Sequence, residues 1–318
     1  MKALSNTIVT IGDINYLWGI FLLIASARKA GMTEPFLVGV KGFTPEAEKV
    51  LAQLGDITLF PLDGVNRSLT CYKPHVMLRA KTEFVTWADS DAFFTGNVSE
   101  LLVPTLRDEI HLRLRPPSEL PGYFWRRTFG VSGEFIPDQV LDIWRRDVRD
   151  VAGTAADTPH FRTTGSACFC SLSLAQHGKF LEVWHNLQMK VLPNKDVGVA
   201  DWSLLYYPQL DESTLNACLA FLPEAPRVQQ AFKMNKERER LFVHFIAQPK
   251  PWQGWTKRAF RFFDEYVAVV DWAILQGYEL PGPVPPCLKA SNKQLMKVLI
   301  PWMTLKPKLR RRLRRIFG

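Results

Sequence analysis

Acid is missing from the end of this chain. Between Leu280 and Gly318 stand five Lys and five Arg, and not one Asp or Glu. Subtracting those ten charges from the net +9 leaves residues 1–279 at about −1, so the basicity belongs to a tail and the body is nearly neutral. Cysteine is sparse as well. The five, at 71, 168, 170, 218 and 287, are an odd count without the spacing of a secreted disulfide scaffold. They read as reduced core residues of a cytosolic protein, with Cys168 and Cys170 alternating along a strand, and a zinc site is disfavoured. Long apolar runs are also lacking. The first, Tyr16 to Ala27, is too short to span a bilayer, and its flanks carry neither the basic start nor the cleavage pattern of a signal peptide. The expectation is a protein neither secreted nor held by a transmembrane helix.

What is present suits a globular protein. With 47% of its 318 residues hydrophobic, the chain can bury a sizeable core as one large or two modest domains. Thr7 to Ile11 reads as a buried first strand, and Gly12 to Asn15 as a turn. Tyr16 to Ala30 reads as a helix closed by Gly31. A second strand (Phe36 to Val40), a helix (Pro45 to Leu54) and a third strand (Ile57 to Pro61) follow. The alternation predicts a three-layer α/β domain with a mixed, mostly parallel sheet. Lys73 to Lys81 is expected to be a helix feeding a fourth strand. Residues 105–162, with their prolines, arginines and tryptophans, break the rhythm and read as an insertion or lobe beside the active edge. Strand character returns at Cys168 to Leu174, and helices are expected at Leu174 to Leu187 and Asp211 to Leu222. Pro281 to Pro286 reads as a linker, which divides the chain into a domain at 1–280 and a tail at 281–318.

The chemistry concentrates at Phe84 to Phe94, where an apolar run ends in Asp89-Ser90-Asp91. A strand ending in Asp-x-Asp delivers two hard oxygen donors to the carboxyl edge of a sheet, where they suit Mn²⁺ or Mg²⁺ and, through the metal, a diphosphate. Taken alone, the pair is as well explained by a polar turn. His244 stands at the end of another short apolar run, where a neutral imidazole can complete a site begun by two carboxylates; taken alone it reads more simply as a surface histidine. Lys250, six residues on and bounded by prolines, can neutralise diphosphate oxygens or be an ordinary loop lysine. Asp211 and Glu212 open a helix, where acids are favoured by the backbone dipole and where capping alone would explain Asp211. Asn15 can likewise be a helix cap, while Asp13 and Tyr16 can hydrogen-bond and stack on a base.

Taken in order, these segments resemble the retaining glycosyltransferases of family 8, the family of glycogenin and the bacterial lipooligosaccharide galactosyltransferases. Its Asp-x-Asn-Tyr is matched by Asp13-Ile14-Asn15-Tyr16, its Asp-x-Asp by Asp89-Ser90-Asp91, and its Asp-Gln-x-x-Leu-Asn by Asp211 through Asn216. Its closing His-x-x-Gly-x-x-Lys-Pro-Trp is matched by His244 through Trp252. The resemblance runs from about residue 7 to residue 255. It implies the GT-A fold, with Asp89, Asp91 and His244 ligating the metal, Asp13, Asn15 and Tyr16 holding uridine, and Lys250 on the diphosphate. A basic residue upstream of the Asp-x-Asp often reaches the donor in this family; Lys73 is the nearest by spacing and Arg79 the second. Three departures stand out. Gly165 lacks the Asn that precedes it in the family's strand entry, Ala247 replaces the glycine of the His motif, and Glu212 replaces a Gln beside the reacting carbon. A carboxylate there can act as nucleophile, stabilise an oxocarbenium ion or only hydrogen-bond the acceptor.

The tail has its own pattern. Leu305, Leu309, Leu313 and Phe317 recur every four residues among Lys308 and five arginines. This predicts a basic amphipathic helix, starting near Pro307, whose segment 302–318 can lie on an anionic membrane; the interleaved leucines and Trp302 favour lipid over nucleic acid, and ten cations without an acid disfavour docking on the protein's own body. Trp125-Arg126-Arg127 and Trp144-Arg145-Arg146 are either acceptor contacts or ordinary surface and core residues. The chain as a whole is expected to be a metal-dependent hexosyltransferase, cytoplasmic and peripheral on the inner face of the membrane. It would use UDP-galactose or UDP-glucose and a glycan or glycolipid acceptor, as in lipopolysaccharide biosynthesis. A nucleotidyltransferase, or a non-enzymatic module for membrane or nucleic acid, are the alternatives.

Overall fold

Apolar runs that do not alternate form strands covered on both faces. The computed structural model of the protein describes residues 5–114, 136–161, 164–195, 204–232, 240–246 and 248–317, with side chains in the last helix as far as Leu305. The first half of the chain forms β1 (Asn6–Asp13), α1 (Leu17–Lys29), β2 (Phe36–Lys41), α2 (Pro45–Ala52), β3 (Ile57–Pro61), α3 (Lys73–Met77), β4 (Phe84–Ala88), β5 (Ala92–Phe94), α4 (Ser99–Leu102) and β6 (Glu109–Leu114). The second half forms α5 (Asp138–Ala152), β7 (Gly165–Ser173), α6 (Leu174–Val191), α7 (Asp211–Phe221), β8 (Arg227–Gln230), β9 (Phe242–His244), α8 (Phe263–Leu275) and α9 (Lys293–Phe317).

Seven strands make the main sheet in the order β3-β2-β1-β4-β7-β6-β8. β1 lies parallel to β2 and β4, β2 to β3, and β6 to β8, while β7 runs antiparallel between β4 and β6. The sheet is therefore mixed and mostly parallel, as the alternation predicts. One apolar cluster fills its α1, α2 and α8 side, and a second fills its α3, α5, α6 and α7 side. β6 sits inside the sheet, and α5 packs on α6 and α7 with Trp144 fully buried, its indole donating to the Tyr206 carbonyl at 2.9 Å. Trp144 is thus a core residue, while Arg145 and Arg146 pair with Asp142 and Asp147 beside it. Trp125 to Arg127 lie outside the described residues.

Two departures from the expected elements bear on the site. The apolar stretch after Asp91 leaves the main sheet: β5 pairs antiparallel with β9, setting Ala92 opposite His244. The last helix begins at Lys293 and not near Pro307. Proline at a helix start is a sound signal, but the earlier residues Met296, Leu299, Ile300 and Met303 already recur at helical spacing and seat this half of α9 against the α1/α8 cluster. Pro301 is accommodated inside it, with the Thr304 hydroxyl donating to the Ile300 carbonyl at 2.9 Å. Cys287 and Leu288 are buried in the same cluster, and Trp255 donates to the Cys287 carbonyl at 2.8 Å. Met303 presses on Gly254, where φ is +151° and an added Cβ would meet the Met303 sulfur at 2.8 Å.

Candidate active site

The site gathers at the carboxyl edge of β1 and β4. β1 ends at Asp13, whose Oδ1 accepts from the Asn15 amide at 2.9 Å and so closes the turn that starts the following helix. That turn leaves Asn15 exposed and sets Tyr16 edge-on to Trp252, with ring centroids 5.6 Å apart. Burial, and next the charge of Asp91, push the Tyr16 phenol up to about 12. One turn into α1, Gly19 allows the helix to touch the Asp-x-Asp turn: a Cβ there would lie 2.4 Å from the Ser90 carbonyl and 2.6 Å from Trp252. Lack of a side chain at Gly19 thus fixes how near the Asp13–Tyr16 turn comes to the two carboxylates.

Asp89 follows β4 directly, its amide donating to the Cys168 carbonyl of β7 at 3.0 Å. Asp91 is placed by the β5–β9 ribbon, where its carbonyl accepts from the Phe245 amide at 3.0 Å. That pairing turns His244 onto both acids: Nε2 lies 3.0 Å from Asp91 Oδ1 and 3.4 Å from Asp89 Oδ2. The donor atoms of Asp89, Asp91 and His244 lie within 4.8 Å of one another. Two carboxylates and an imidazole at that separation fit a hard divalent cation of the Mn²⁺ or Mg²⁺ kind. With side-chain exposures of 12–20%, the three remain open to one side. Burial works against a charged imidazole here, but Asp91 and the neighbouring Cys168 thiol outweigh it and raise His244 to about 10. Asp91 is held well below the usual carboxylate range, against its burial, by His244 and Lys250.

Two buried lysines flank these acids. Lys73, at the first position of α3, lies 2.7 Å from Asp89 and 2.7 Å from Asp211, donates to the Ala167 carbonyl, and sits over the Trp87 ring. Burial alone would lower its ammonium; the two carboxylates reverse this and hold it well above its ordinary value. Lys250 pairs with Asp91 and donates to the Phe245 carbonyl at 2.6 Å. Asp211 sits in the first turn of α7, and burial raises its carboxyl to about 6 against the pull of Lys73. Glu212, next in the same turn, is buried beside it. Asn216, one turn on, ties α7 to β7. It accepts from the Gly165 amide at 2.7 Å, donates to the Gly165 carbonyl at 3.0 Å and donates to the Glu212 carbonyl at 2.7 Å. Gly165 has room for no side chain, since a Cβ would lie 1.9 Å from Leu112.

The structure brings Lys73, Asp89, Asp91, Asp211, His244 and Lys250 into one cluster, with Glu212 adjoining Asp211 and Tyr16 reaching it through Trp252. Arg79 is elsewhere, exposed and stacked over Phe60. Ala247 lies outside the described residues. Three participants carry no role in the sequence reading. Trp87 donates to Asp89 at 2.8 Å, Cys168 packs beside His244, and Asn216 forms the clasp. Trp87 had a signal, because residues two apart on a strand share a face.

No protein-family profile and no curated protein sequence matches the chain. Solved structures do. The glycosyltransferase GlyE of Streptococcus pneumoniae TIGR4 superposes with a TM-score of 0.52 at 14% identity, over 88% of this chain and 66% of that one. An active-site glutamine-to-glutamate mutant of LgtC gives 0.50 at 14% identity, over 82% of this chain and 95% of that one. The chain spans just under two thirds of GlyE, and 50% of the bifunctional glycosyltransferase WbbM, which it matches with a TM-score of 0.48 at 13% identity. At these identities the likeness concerns the fold. The chain has the α/β GT-A fold, and these neighbours in structure are glycosyltransferases.

Proposed function

We propose that the protein is a metal-dependent retaining glycosyltransferase that moves a hexose, galactose or glucose, from a UDP-sugar to a glycan acceptor carried on lipid or surface polysaccharide. The observation that supports this most directly is the Asp89–Asp91–His244 donor set, flanked by Lys73 and Lys250, at the ligand-binding edge of a GT-A sheet. A divalent cation held by that set would supply charge for the diphosphate that departs. Lys250 adds to it, moving from Asp91 toward the phosphate, and Asp13, Asn15 and Tyr16 hold the uridine. Lys73 fixes Asp89 and Asp211 in place. Asp211 and Glu212 form the acidic wall against the sugar, where Glu212 stabilises positive charge at the anomeric carbon. The bond from that carbon to the phosphate oxygen breaks and a bond to the acceptor oxygen forms. The acceptor proton passes to the departing phosphate, so no separate base is required. Retention of configuration rests on the family resemblance.

The same proposal sets the protein on the cytoplasmic face of an anionic membrane through α9. Leu295, Val298, Trp302 and Leu305 are 52–72% exposed and recur at helical spacing on this helix, while Met296, Leu299, Ile300 and Met303 pack on the body. Among the described residues no helix is long and apolar enough to cross a membrane.

Calorimetric titration of UDP with and without Mn²⁺, followed by UDP-sugars scored for release of UDP, tests the proposal. Metal-dependent binding that is lost in Asp89→Ala and Asp91→Ala, with slow release of UDP from one sugar donor, is the expected result. Release of pyrophosphate would identify a nucleotidyltransferase, and absence of UDP binding under both conditions would overturn the enzyme reading.

A further inference from the structure

Beside the metal-type cluster lies a pocket of about 550 Å³ whose charge is one-sided. Four arginines line it, from three separate stretches of chain: Arg113 near the end of β6, Arg240 just before β9, and Arg258 and Arg261 ahead of α8. Glu265 is the one acid in its lining among the described residues. None of the four arginines has a carboxylate partner among the described residues, whereas Lys73 and Lys250 are both paired. A guanidinium presents parallel N–H groups that match the two oxygens of a phosphate or carboxylate, so convergent unpaired arginines define an oxyanion site.

The pocket's position says which substrate it serves. His244 lines it and also belongs to the donor set of the metal-type cluster. Arg113 stands opposite Ser166 in the β6–β7 register, two residues from Cys168, whose carbonyl holds the Asp89 amide. The pocket therefore adjoins the reaction centre. Yet none of Asp13, Asn15, Tyr16, Lys73 or Lys250 lines it. The residues proposed for the nucleotide and its diphosphate thus lie outside this pocket, which leaves it to a second ligand.

We propose that this pocket is the acceptor subsite and that it takes an anionic glycan, one bearing a phosphate or a carboxylate near the hydroxyl that is glycosylated. This rests on the glycosyltransferase reading above. The test is calorimetry on the full chain loaded with UDP and Mn²⁺, with glucose 6-phosphate, glucuronate and glucose as probes and the double variant Arg258→Ser/Arg261→Ser as comparison. Both arginines are exposed, so the variant is expected to fold, and its thermal melt checks this. At least one anionic probe should bind about tenfold or more tightly than glucose, and the variant should lose that preference. Which probe binds tells phosphate from carboxylate. Equal binding of all three sugars, or a preference that survives the double variant, would each overturn the proposal. If UDP and Mn²⁺ fail to bind while an arginine-dependent preference for the anionic sugar persists, the oxyanion site stands and the transferase reading falls.

Discussion

Two sets of cations lie within one edge of this molecule, and they are treated in opposite ways. Lys73 and Lys250 are 4% and 2% exposed and have partners waiting: Asp89 and Asp211 for the first, Asp91 for the second. Arg240, Arg258 and Arg261 are exposed, Arg113 is half-buried, and none has an acid partner among the described residues. A charge taken out of water persists only if its compensation is built beside it, because an unpaired buried ion is strongly unfavourable. A charge left in water needs no such partner and stays available to a ligand. The difference separates cations that hold the site together from cations that recognise what enters it. Three acids (Asp89, Asp91 and Asp211) face three basic groups (Lys73, Lys250 and His244), so the buried cluster is close to neutral and assembled in advance.

Removing one of the buried cations should have the largest effect. Lys73→Ala strands two carboxylates and is expected to destabilise the fold by about 3–5 kcal/mol in urea denaturation. A loss below about 1 kcal/mol would mean the pair is solvated and the contrast false. Titration of the pair between His244 and Asp91 comes next. In metal-free protein the folded His244 is raised to about 10 from an ordinary 6.5, so its contribution is complete below pH 6.5 and disappears as pH rises through 10. The melting temperature of EDTA-treated protein should fall across that window, and His244→Gln should flatten the fall. For the same reason Mn²⁺, which must displace a proton from His244, should bind more tightly as pH rises through it.

Asn216→Ala removes three buried hydrogen bonds, two of which lock α7 to Gly165 while the third holds the Glu212 carbonyl, for an expected loss of about 1–3 kcal/mol. The variant should also weaken sugar-donor turnover more than UDP binding, since the clasp positions Asp211 and Glu212. Smallest of all, Arg258→Ala should move stability by less than about 0.5 kcal/mol. A melting shift as large as that of Asn216→Ala would place Arg258 among the structural cations.

The sequence shows the parallel half of the sheet plainly, because β1, β2 and β4 are short runs rich in apolar and β-branched residues with turn signals between them. It also shows Asp89 and Asp91 at a strand end. The ribbon that carries Asp91 to His244 is another matter. β5 and β9 are three residues each, too short to display a period, and the groups they unite are 153 positions apart. Residue type alone suggested that His244 could join the two acids, and only the family resemblance supplied the pairing as a motif. Spacing singled out Lys73 ahead of Arg79, yet nothing local shows that Lys73 ties Asp89 to Asp211, which taken alone reads as a helix cap. The arginine pocket is invisible for the same reason, being assembled from three stretches with no common motif. At the tail, the prolines drew attention from a sounder signal, the helical spacing of Met296, Leu299, Ile300 and Met303.

That seat of α9 has a consequence for where the chain tolerates a break. Met303 rests on Gly254, whose amide donates to the Lys250 carbonyl at 2.9 Å, so the helix props the turn that presents a site lysine. A chain stopped at Leu280 would lose Cys287, Leu288 and Met296 from its core and the prop beneath Lys250 together. Stopped after Leu305, it would shed 13 residues carrying seven of the ten terminal cations and keep the prop. The first cut dismantles the site; the second leaves it standing and removes only the basic end proposed above to meet the membrane.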